Sequence, residues 1–234
     1  MNRNWEQLTP EDAGAAVLAD HPGAPACITC SFQVEDMLVL DLLRTHLPHI
    51  PVMFLDTGYH FPETYAYRDR MAHLWDLNLV NVLPRQTVPE QEAACGLLNR
   101  TEPARCCQLR KVEPLMASLR PYRLWFTGLR REQSPTRRSL GLVETHVLPS
   151  GESLLKINPL ALWENRAVWR AAHARGIEAL PLYAQGYTSI GCAPCTAIPA
   201  PGADPRSGRW GGAHLECGIH TVTRPPISPG PEPA

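Results

Sequence analysis

Short apolar runs separated by helix-like stretches set the strongest constraint on what this chain can become. Residues 26–31 (ACITCS), 51–55 (PVMFL), 79–83 and 123–127 (RLWFT) have the length and composition of buried strands, and 154–157 is a shorter run of the same kind. Between them, Met37, Leu38, Leu40, Leu42 and Leu43 make one apolar helical face that ends before Pro48. A second helix opens near Pro62, a residue tolerated in a first turn. Another runs over about 162–175, where Gly176 can cap it. Strands alternating with helices predict an α/β fold with a mostly parallel, doubly wound sheet flanked by helices. In such sheets the ligand lies beyond the carboxyl ends of the strands.

The 234 residues are enough for one large domain, or one domain with an appendage. A net charge of −1 excludes a general polycation that coats nucleic acid, and no apolar run reaches the length that spans a bilayer. The first ten residues are polar and lack the layout of a secretory signal, so a cytoplasmic location is expected. From residue 194 onward proline and glycine are dense and the hydrophobic periodicity disappears. The chain therefore divides into an α/β domain over 1–200, a mobile segment over 201–223 and a disordered tail over 224–234.

In a reducing cytosol clustered cysteines bind metal or do chemistry more often than they form disulfides. Of the eight, Cys106 and Cys107 are adjacent, and Cys192 and Cys195 form a CxxC. These four thiols could hold an iron–sulfur cluster or zinc, or be unrelated to one another. Adjacent cysteines suit a zinc knuckle poorly, because their side chains diverge, whereas they could reach two irons of one cubane. Cys27, Cys30 and Cys95 sit in apolar surroundings and read as small buried hydrophobes. Cys217 sits in a Gly-containing island after a flexible stretch, a placement that favours a nucleophile over a packed thiol.

Arginines gather at two places. Residues 128–138 (GLRREQSPTRR) put Arg130, Arg131, Arg137 and Arg138 in one loop after a strand, and Arg206 and Arg209 precede Cys217. The rigid fork of arginine suits sulfate and phosphate. Lys111 follows Cys107 by four residues. Ser31 to Asp36 joins a strand to a helix N-terminus, where backbone N–H groups favour a phosphate, yet contains no Walker-type GxxxxGK[ST].

With these motifs in order, the sequence resembles the assimilatory sulfonucleotide reductases, more closely the iron–sulfur adenylyl-sulfate (APS) branch than the cluster-free phosphoadenylyl-sulfate (PAPS) branch. The resemblance runs from about Cys30 to His220. It rests on the modified phosphate loop 31–36 (SFQVED), the LDTG loop 55–58, the CC-x3-K element, the arginine loop from Gly128, the CxxC and the ECGIH island at 216–220. The chain departs from the family pattern at His214, where lysine is usual, and at Gly211 and Gly212, where many APS reductases carry tryptophan.

The resemblance implies an adenine-nucleotide PP-loop-like fold with a flexible C-terminal segment. It implies a catalytic Cys217 and one [4Fe-4S] cluster on Cys106, Cys107, Cys192 and Cys195. The implied substrate-binding residues are Ser31, Glu35, Asp36, Asp56, Thr57, Gly58, Lys111, Gly128, Arg130, Arg131, Arg137, Arg138, Arg206 and Arg209. The implied reaction is reduction of APS to sulfite and AMP through an S-sulfocysteine, with thioredoxin or glutaredoxin as reductant; a homo-oligomer is compatible, and no nucleic acid or membrane is expected as partner. The alternatives are a PAPS or dual-substrate reductase and a non-catalytic zinc- or cluster-binding interaction module. A tRNA-modifying PP-loop sulfurtransferase would need an SGGxDS loop, which 31–36 does not match. Glu216 and His220 read as residues that order or dock the segment, and the proline- and glycine-rich run 199–212 as a hinge.

Overall fold

The structure is a computed structural model, and it describes residues 4–212 together with 216, 218 and 219. Six strands form a single sheet: β1 (Ala26–Thr29), β2 (Val52–Leu55), β3 (Leu79–Val82), β4 (Leu124–Phe126), β5 (Val143–Val147) and β6 (Ser153–Ile157), in the spatial order β3-β2-β1-β4-β6-β5. All neighbours pair parallel except β5 and β6, which are antiparallel. The chain steps outward from β1 through β2 to β3, then returns to place β4 on the other side of β1. That reversal creates a switch point between β1 and β4, where crossover loops separate and leave a crevice.

The strands expected from apolar runs form at those places, four of them trimmed by a residue or two and β6 one residue longer than its run. Strand β5 was not expected. It is an edge strand whose sequence, VETHV, mixes charge with branched residues and does not present a continuous apolar run.

The helices are α1 (Pro10–Asp20), α2 (Val34–Arg44), α3 (Pro62–Leu74), α4 (Val88–Cys95), α5 (Leu98–Thr101), α6 (Pro103–Cys107), α7 (Glu113–Leu119) and α8 (Asn165–Ala174). Helix α1 has a legible start: the Thr9 hydroxyl accepts from the Asp12 backbone N–H, and Pro10 fills the first position. Helix α8 begins at Asn165, three residues later than the apolar spacing suggests. Its first N–H is capped by a remote carboxylate, Glu132 Oε2 at 2.6 Å, which sequence periodicity cannot reveal.

Helix α2 buries seven of its eleven residues, among them Met37, Leu38 and Leu40, against β1 and β2 and the α8 face. A fully buried side chain of this size contributes about 1.5–3 kcal/mol. This packing fixes the α2 N-terminus at the switch point. No described helix is long and apolar enough to cross a membrane.

Candidate active site

A cleft of about 780 Å³ opens at the carboxyl ends of β1, β2 and β4, at the switch point. Its floor begins with the turn from β1 into α2. Phe32 adopts a left-handed backbone, φ +60°, unusual for a non-glycine residue. The ring is fully buried, edge-on to Phe54 at 5.8 Å and Tyr67 at 6.4 Å, and this packing holds the strained turn.

Asp36 locks the turn. One carboxylate oxygen accepts from the Ser31 backbone N–H at 2.7 Å and the Ser31 hydroxyl at 2.5 Å; the other accepts from the Gly128 N–H at 3.1 Å. Gly128 must be glycine, because a Cβ there would stand 2.4 Å from Asp36 Oδ1 and 2.8 Å from its backbone nitrogen. Burial pushes the Asp36 carboxyl up to about 6, with the Ser31 hydrogen bonds opposing and the Glu35 charge adding. Asp36 thus ties β1 to β4 as a strut. Gln33, which the sequence reading did not single out, reaches the far wall by accepting from the Ile190 N–H at 2.9 Å.

The loop arginines are mostly committed to carboxylates. Buried Arg130 donates to Glu35 at 2.9 and 3.2 Å, to Glu132 at 2.7 Å and to Asn165 at 3.2 Å. Arg131 turns away from the cleft to Glu6 at 2.6 Å and the Leu140 carbonyl at 2.8 Å. Arg138 is exposed and also lies outside the cleft lining. Arg137 lines the cleft but grips the Glu216 carboxylate with Nε at 2.8 Å and Nη2 at 2.7 Å.

A different set of cations faces the cleft from the other side. Lys111, Arg206 and Arg209 all line it. Arg209 is buried with its guanidinium 4.5 Å over the Trp210 ring, and it lies so close to Gly191 that a Cβ there would stand 2.1 Å from Nη2. An aromatic wall completes the cleft: Trp169 from α8 packs edge-on to Tyr183 at 4.9 Å, with Tyr187 beyond. These aromatics come from a helix and a turn far from the motifs, so no local signal marks them. His60 also lines the cleft, its ring on Phe54 at 4.8 Å and Nε2 at 2.8 Å from the Leu55 carbonyl oxygen. Burial lowers its pKa to about 4, so it is neutral at pH 7.

In the LDTG loop Leu55 lines the cleft, while Asp56, Thr57 and Gly58 stand outside its lining, with Thr57 beside the cysteines. Asp56 accepts from the Tyr65 hydroxyl at 2.6 Å and faces Arg68 at 3.6 Å. The Thr57 hydroxyl lies 3.2 Å from Cys192 Sγ, and the Thr57 carbonyl accepts from Arg110 at 2.6 Å. Gly58, at φ +72°, sits where a Cβ would stand 2.7 Å from the Val88 side chain.

Cys106 and Cys107 end α6, and the chain continues through one π-helical turn, Gln108–Val112. Such turns are rare and concentrate at functional sites. This one turns Arg110 and Lys111 inward, both buried. Cys192 is held by a bridge to His60, and the Ala193 N–H donates to the Tyr59 carbonyl at 2.7 Å. One small void is bordered by Cys106, Cys107, Cys192 and Cys195 together with Arg110 and Lys111. The Cys106 thiol is pushed up by burial and by Cys192, and Cys195 likewise, while Lys111 opposes both. The thiols thus disfavour one another's charged forms, a repulsion that a bound cationic centre relieves. No disulfide forms among the described cysteines. Among the described residues, no three His, Cys, Asp or Glu side chains stand ready-arranged around a single ion. The all-sulfur donor set matches zinc or iron–sulfur chemistry.

At the rim, Glu216 is docked on the arginine loop and Ile219 packs on the cluster of Trp125, Met53 and Leu115. Cys217, His214 and His220, with the 224–234 tail, lie outside the described residues.

The phosphoadenosine phosphosulfate reductase domain matches residues 25–198. A Gloeobacter violaceus protein named phosphoadenosine 5'-phosphosulfate reductase is 44% identical over 228 residues, 94% of this chain and 92% of its own length. A Mycobacterium tuberculosis protein named adenosine 5'-phosphosulfate reductase is also 44% identical, over 92% of this chain and 86% of its own. In fold the chain is similar to a Candida auris phosphoadenylyl-sulfate reductase crystallised with phosphate, with a TM-score of 0.68 and 24% identity over 81% of this chain and 91% of that one. It is also similar in fold to Candida glabrata FMN adenylyltransferase, at a TM-score of 0.60 and 12% identity, over 94% of this chain and 78% of that one. The domain match and the two relatives that span nearly the whole chain make this protein a member of the sulfonucleotide reductase family.

Proposed function

We propose that this chain reduces adenylyl sulfate to sulfite and AMP, with electrons from a thioredoxin-type dithiol protein, in cytoplasmic sulfate assimilation. The observation that carries the reading is the convergence of Lys111, Arg206 and Arg209 on a switch-point cleft whose rim holds Glu216 and Ile219, two of the described residues on either side of Cys217 in sequence. The α2 N-terminus offers the phosphate end of the nucleotide a favourable field. The Cys217 thiolate attacks the sulfuryl sulfur; an S–S bond forms, the sulfur–oxygen bond to the phosphate breaks, and AMP leaves with the electron pair. Cations at the cleft meet the charge growing on that phosphate and favour the thiolate over the thiol. A thiolate of the dithiol partner then attacks Cys217 Sγ, sulfite leaves with the S–S electron pair, and the partner's second thiol resolves the mixed disulfide. The partner loses two electrons and Cys217 is regenerated.

Cys106, Cys107, Cys192 and Cys195 would hold one [4Fe-4S] cluster, which when bound supplies a fixed charge beside Lys111 and ties the π-turn to the 192–195 loop. The arginine loop supports APS over PAPS: Arg130, Arg131 and Arg137 are already paired with carboxylates and Arg138 lies outside the cleft, which leaves little spare charge there for a further phosphate. The test is sulfite release by anaerobically purified protein given APS or PAPS with excess reduced thioredoxin. Release from APS that vanishes in Cys217→Ser is the expected result. Release from neither nucleotide by iron-loaded protein overturns the reading, and stoichiometric zinc without iron overturns the cluster.

A further inference from the structure

Helix α4 buries a single residue, and that residue is polar. Gln91 is 1% exposed, while its seven neighbours in the helix all reach solvent in part or in full. Burying an amide costs free energy unless its hydrogen-bonding groups are met. Two local devices bring the helix to this place. The Thr87 hydroxyl and the Glu90 carboxylate form a capping box at its start. The missing Cβ of Gly58, which would stand 2.7 Å from the Val88 side chain and 3.3 Å from Arg110 Nη2, lets α4 and Arg110 close on the LDTG loop.

Arg110 sets which way the amide points. Its Nη1 donates to Gln91 Oε1 at 3.1 Å and to the Gln86 carbonyl at 3.2 Å, and its Nε donates to the Thr57 carbonyl at 2.6 Å. A guanidinium carries donors only, so the amide oxygen must face Arg110 and the NH2 must face away. Gln91 Nε2 is buried, with no partner of hydrogen-bond geometry among the described residues. It stands beside Cys106, which borders the void shared with Cys107, Cys192 and Cys195. Burial and Cys192 push the Cys106 thiol up; of the groups that oppose them the Gln91 amide comes first, ahead of Arg110 and Lys111. A thiol is a weak acceptor, and the charged sulfur of a metal-bound thiolate is a better one, so ligation completes the contact. One guanidinium thus holds Thr57, whose hydroxyl lies 3.2 Å from Cys192 Sγ, and Gln91 on the Cys106 side of the void.

We propose that Gln91 is the hydrogen-bond donor to the Cys106 sulfur of the metal centre, its amide oriented by Arg110 so that an N–H meets the thiolate that ligates iron. Gln91 lies outside the cleft lining and acts through its neighbour, so it is a positioning residue. The proposal rests on the reading of the four cysteines as ligands of one iron–sulfur cluster. A donor to a cluster sulfur draws charge from it, which raises the reduction potential and holds the ligand against loss of iron.

The test uses the whole chain, purified without oxygen, as wild type, Gln91→Glu and Gln91→Leu. Gln91→Glu keeps an oxygen for Arg110 and replaces the N–H donor with a charge that repels the thiolate. Gln91→Leu removes both polar groups, and Gln91→Glu carries the test alone if Gln91→Leu does not fold. Iron release to a chelator, followed as loss of cluster absorbance, is expected to be roughly 10- to 100-fold faster in Gln91→Glu, the scale of a lost contact to a metal ligand. Gln91→Leu should exceed wild type by a smaller factor. The one-electron midpoint potential, measured at an electrode, should move negative in both variants and further in Gln91→Glu. Faster release at an unchanged potential marks a residue that only supports the fold and overturns the donor role. Wild-type release and potential in both variants overturn it too. A wild type that carries zinc and no iron overturns the cluster reading, and zinc release then decides: faster release from the variants keeps Gln91 as the donor, and equal rates overturn it. A wild type that holds neither metal overturns both.

Discussion

Two groups of cations stand on opposite sides of the cleft, not all of them lining it, and they carry the same charge toward different ends. In the 130–138 loop, Arg130 is neutralised by Glu35 and Glu132, Arg131 by Glu6 and Arg137 by Glu216. Across the cleft, Lys111 and Arg209 are buried between the cleft and the cysteines, and both lower the Cys195 pKa. The first group spends its charge on holding loops, helix ends and the C-terminal island in register. The second directs its charge at thiols and at the space where a leaving phosphate would form. Counting arginines in a loop therefore overstates its capacity to bind an anion, because the carboxylates that neutralise them arrive from elsewhere in the chain.

This contrast breaks if the two groups respond alike to truncation. Arg130→Ala leaves the partly buried Glu35 without its counter-charge, with only Gln133 Nε2 still donating to it, and is expected to cost about 3 kcal/mol of stability by denaturant unfolding, with lost activity following from unfolding. Wild-type stability in that variant would return Arg130 to the substrate. Lys111→Ala should show the reverse pattern: sulfite release lower by roughly 10²–10³-fold, as for loss of one oxyanion donor, with a smaller change in the unfolding midpoint.

Between these lies a titration that involves neither group's anion chemistry. His146 is buried edge-on to Trp125 at 5.2 Å, with neither ring nitrogen hydrogen-bonded among the described residues. Burial first, and the Lys156 charge second, lower its pKa to about 4 from 6.5. A folded value below the unfolded one means that the unfolded chain binds the extra proton between pH 6.5 and 4, so stability falls as pH drops through that window. His146→Phe should make the wild type's loss between pH 7 and pH 5 smaller by about 2 kcal/mol. His60 adds to the acid loss, and Asp36, raised to about 6, opposes it, so the slope difference between the two proteins is the quantity to read. An unchanged slope would place a partner on the His146 ring. The smallest effect belongs to Arg131→Ala, an exposed pair with Glu6 expected to contribute about 0–1 kcal/mol and nothing to sulfite release. A large rise in KM there would bring Arg131 back to the cleft.

The legibility of the fold tracked how local its causes are. Apolar runs at 26–31 and 51–55 read directly as strands, because a strand buried on both faces must be apolar along its length, and β3, though an edge strand with Asn81 exposed, keeps the apolar Leu79, Val80 and Val82. Strand β5 escaped because an edge strand answers to its single neighbour, and Glu144 and Thr145 there satisfy no local pattern. Helix α1 was legible in principle, through Thr9 and Pro10, but the polar start of the chain masked it. The turns from Val88 to Leu119 were unread because short helices broken by Pro103, the π-turn and Pro114 carry no long periodicity.

For the site, the sequence alone determined the inventory: the phosphate-loop turn, the four cysteines, the cations near them and the ECGIH island, since these motifs are contiguous residues whose order survives folding. Only the tertiary structure decided the pairings. It sent Asp36 to Gly128, Thr57 to Cys192, Arg137 to Glu216 and Glu132 to the α8 N-terminus, contacts separated by 92, 135, 79 and 33 residues. A buried charge must find its counter-charge wherever the sheet brings one within reach, and strand order, not sequence distance, sets that reach.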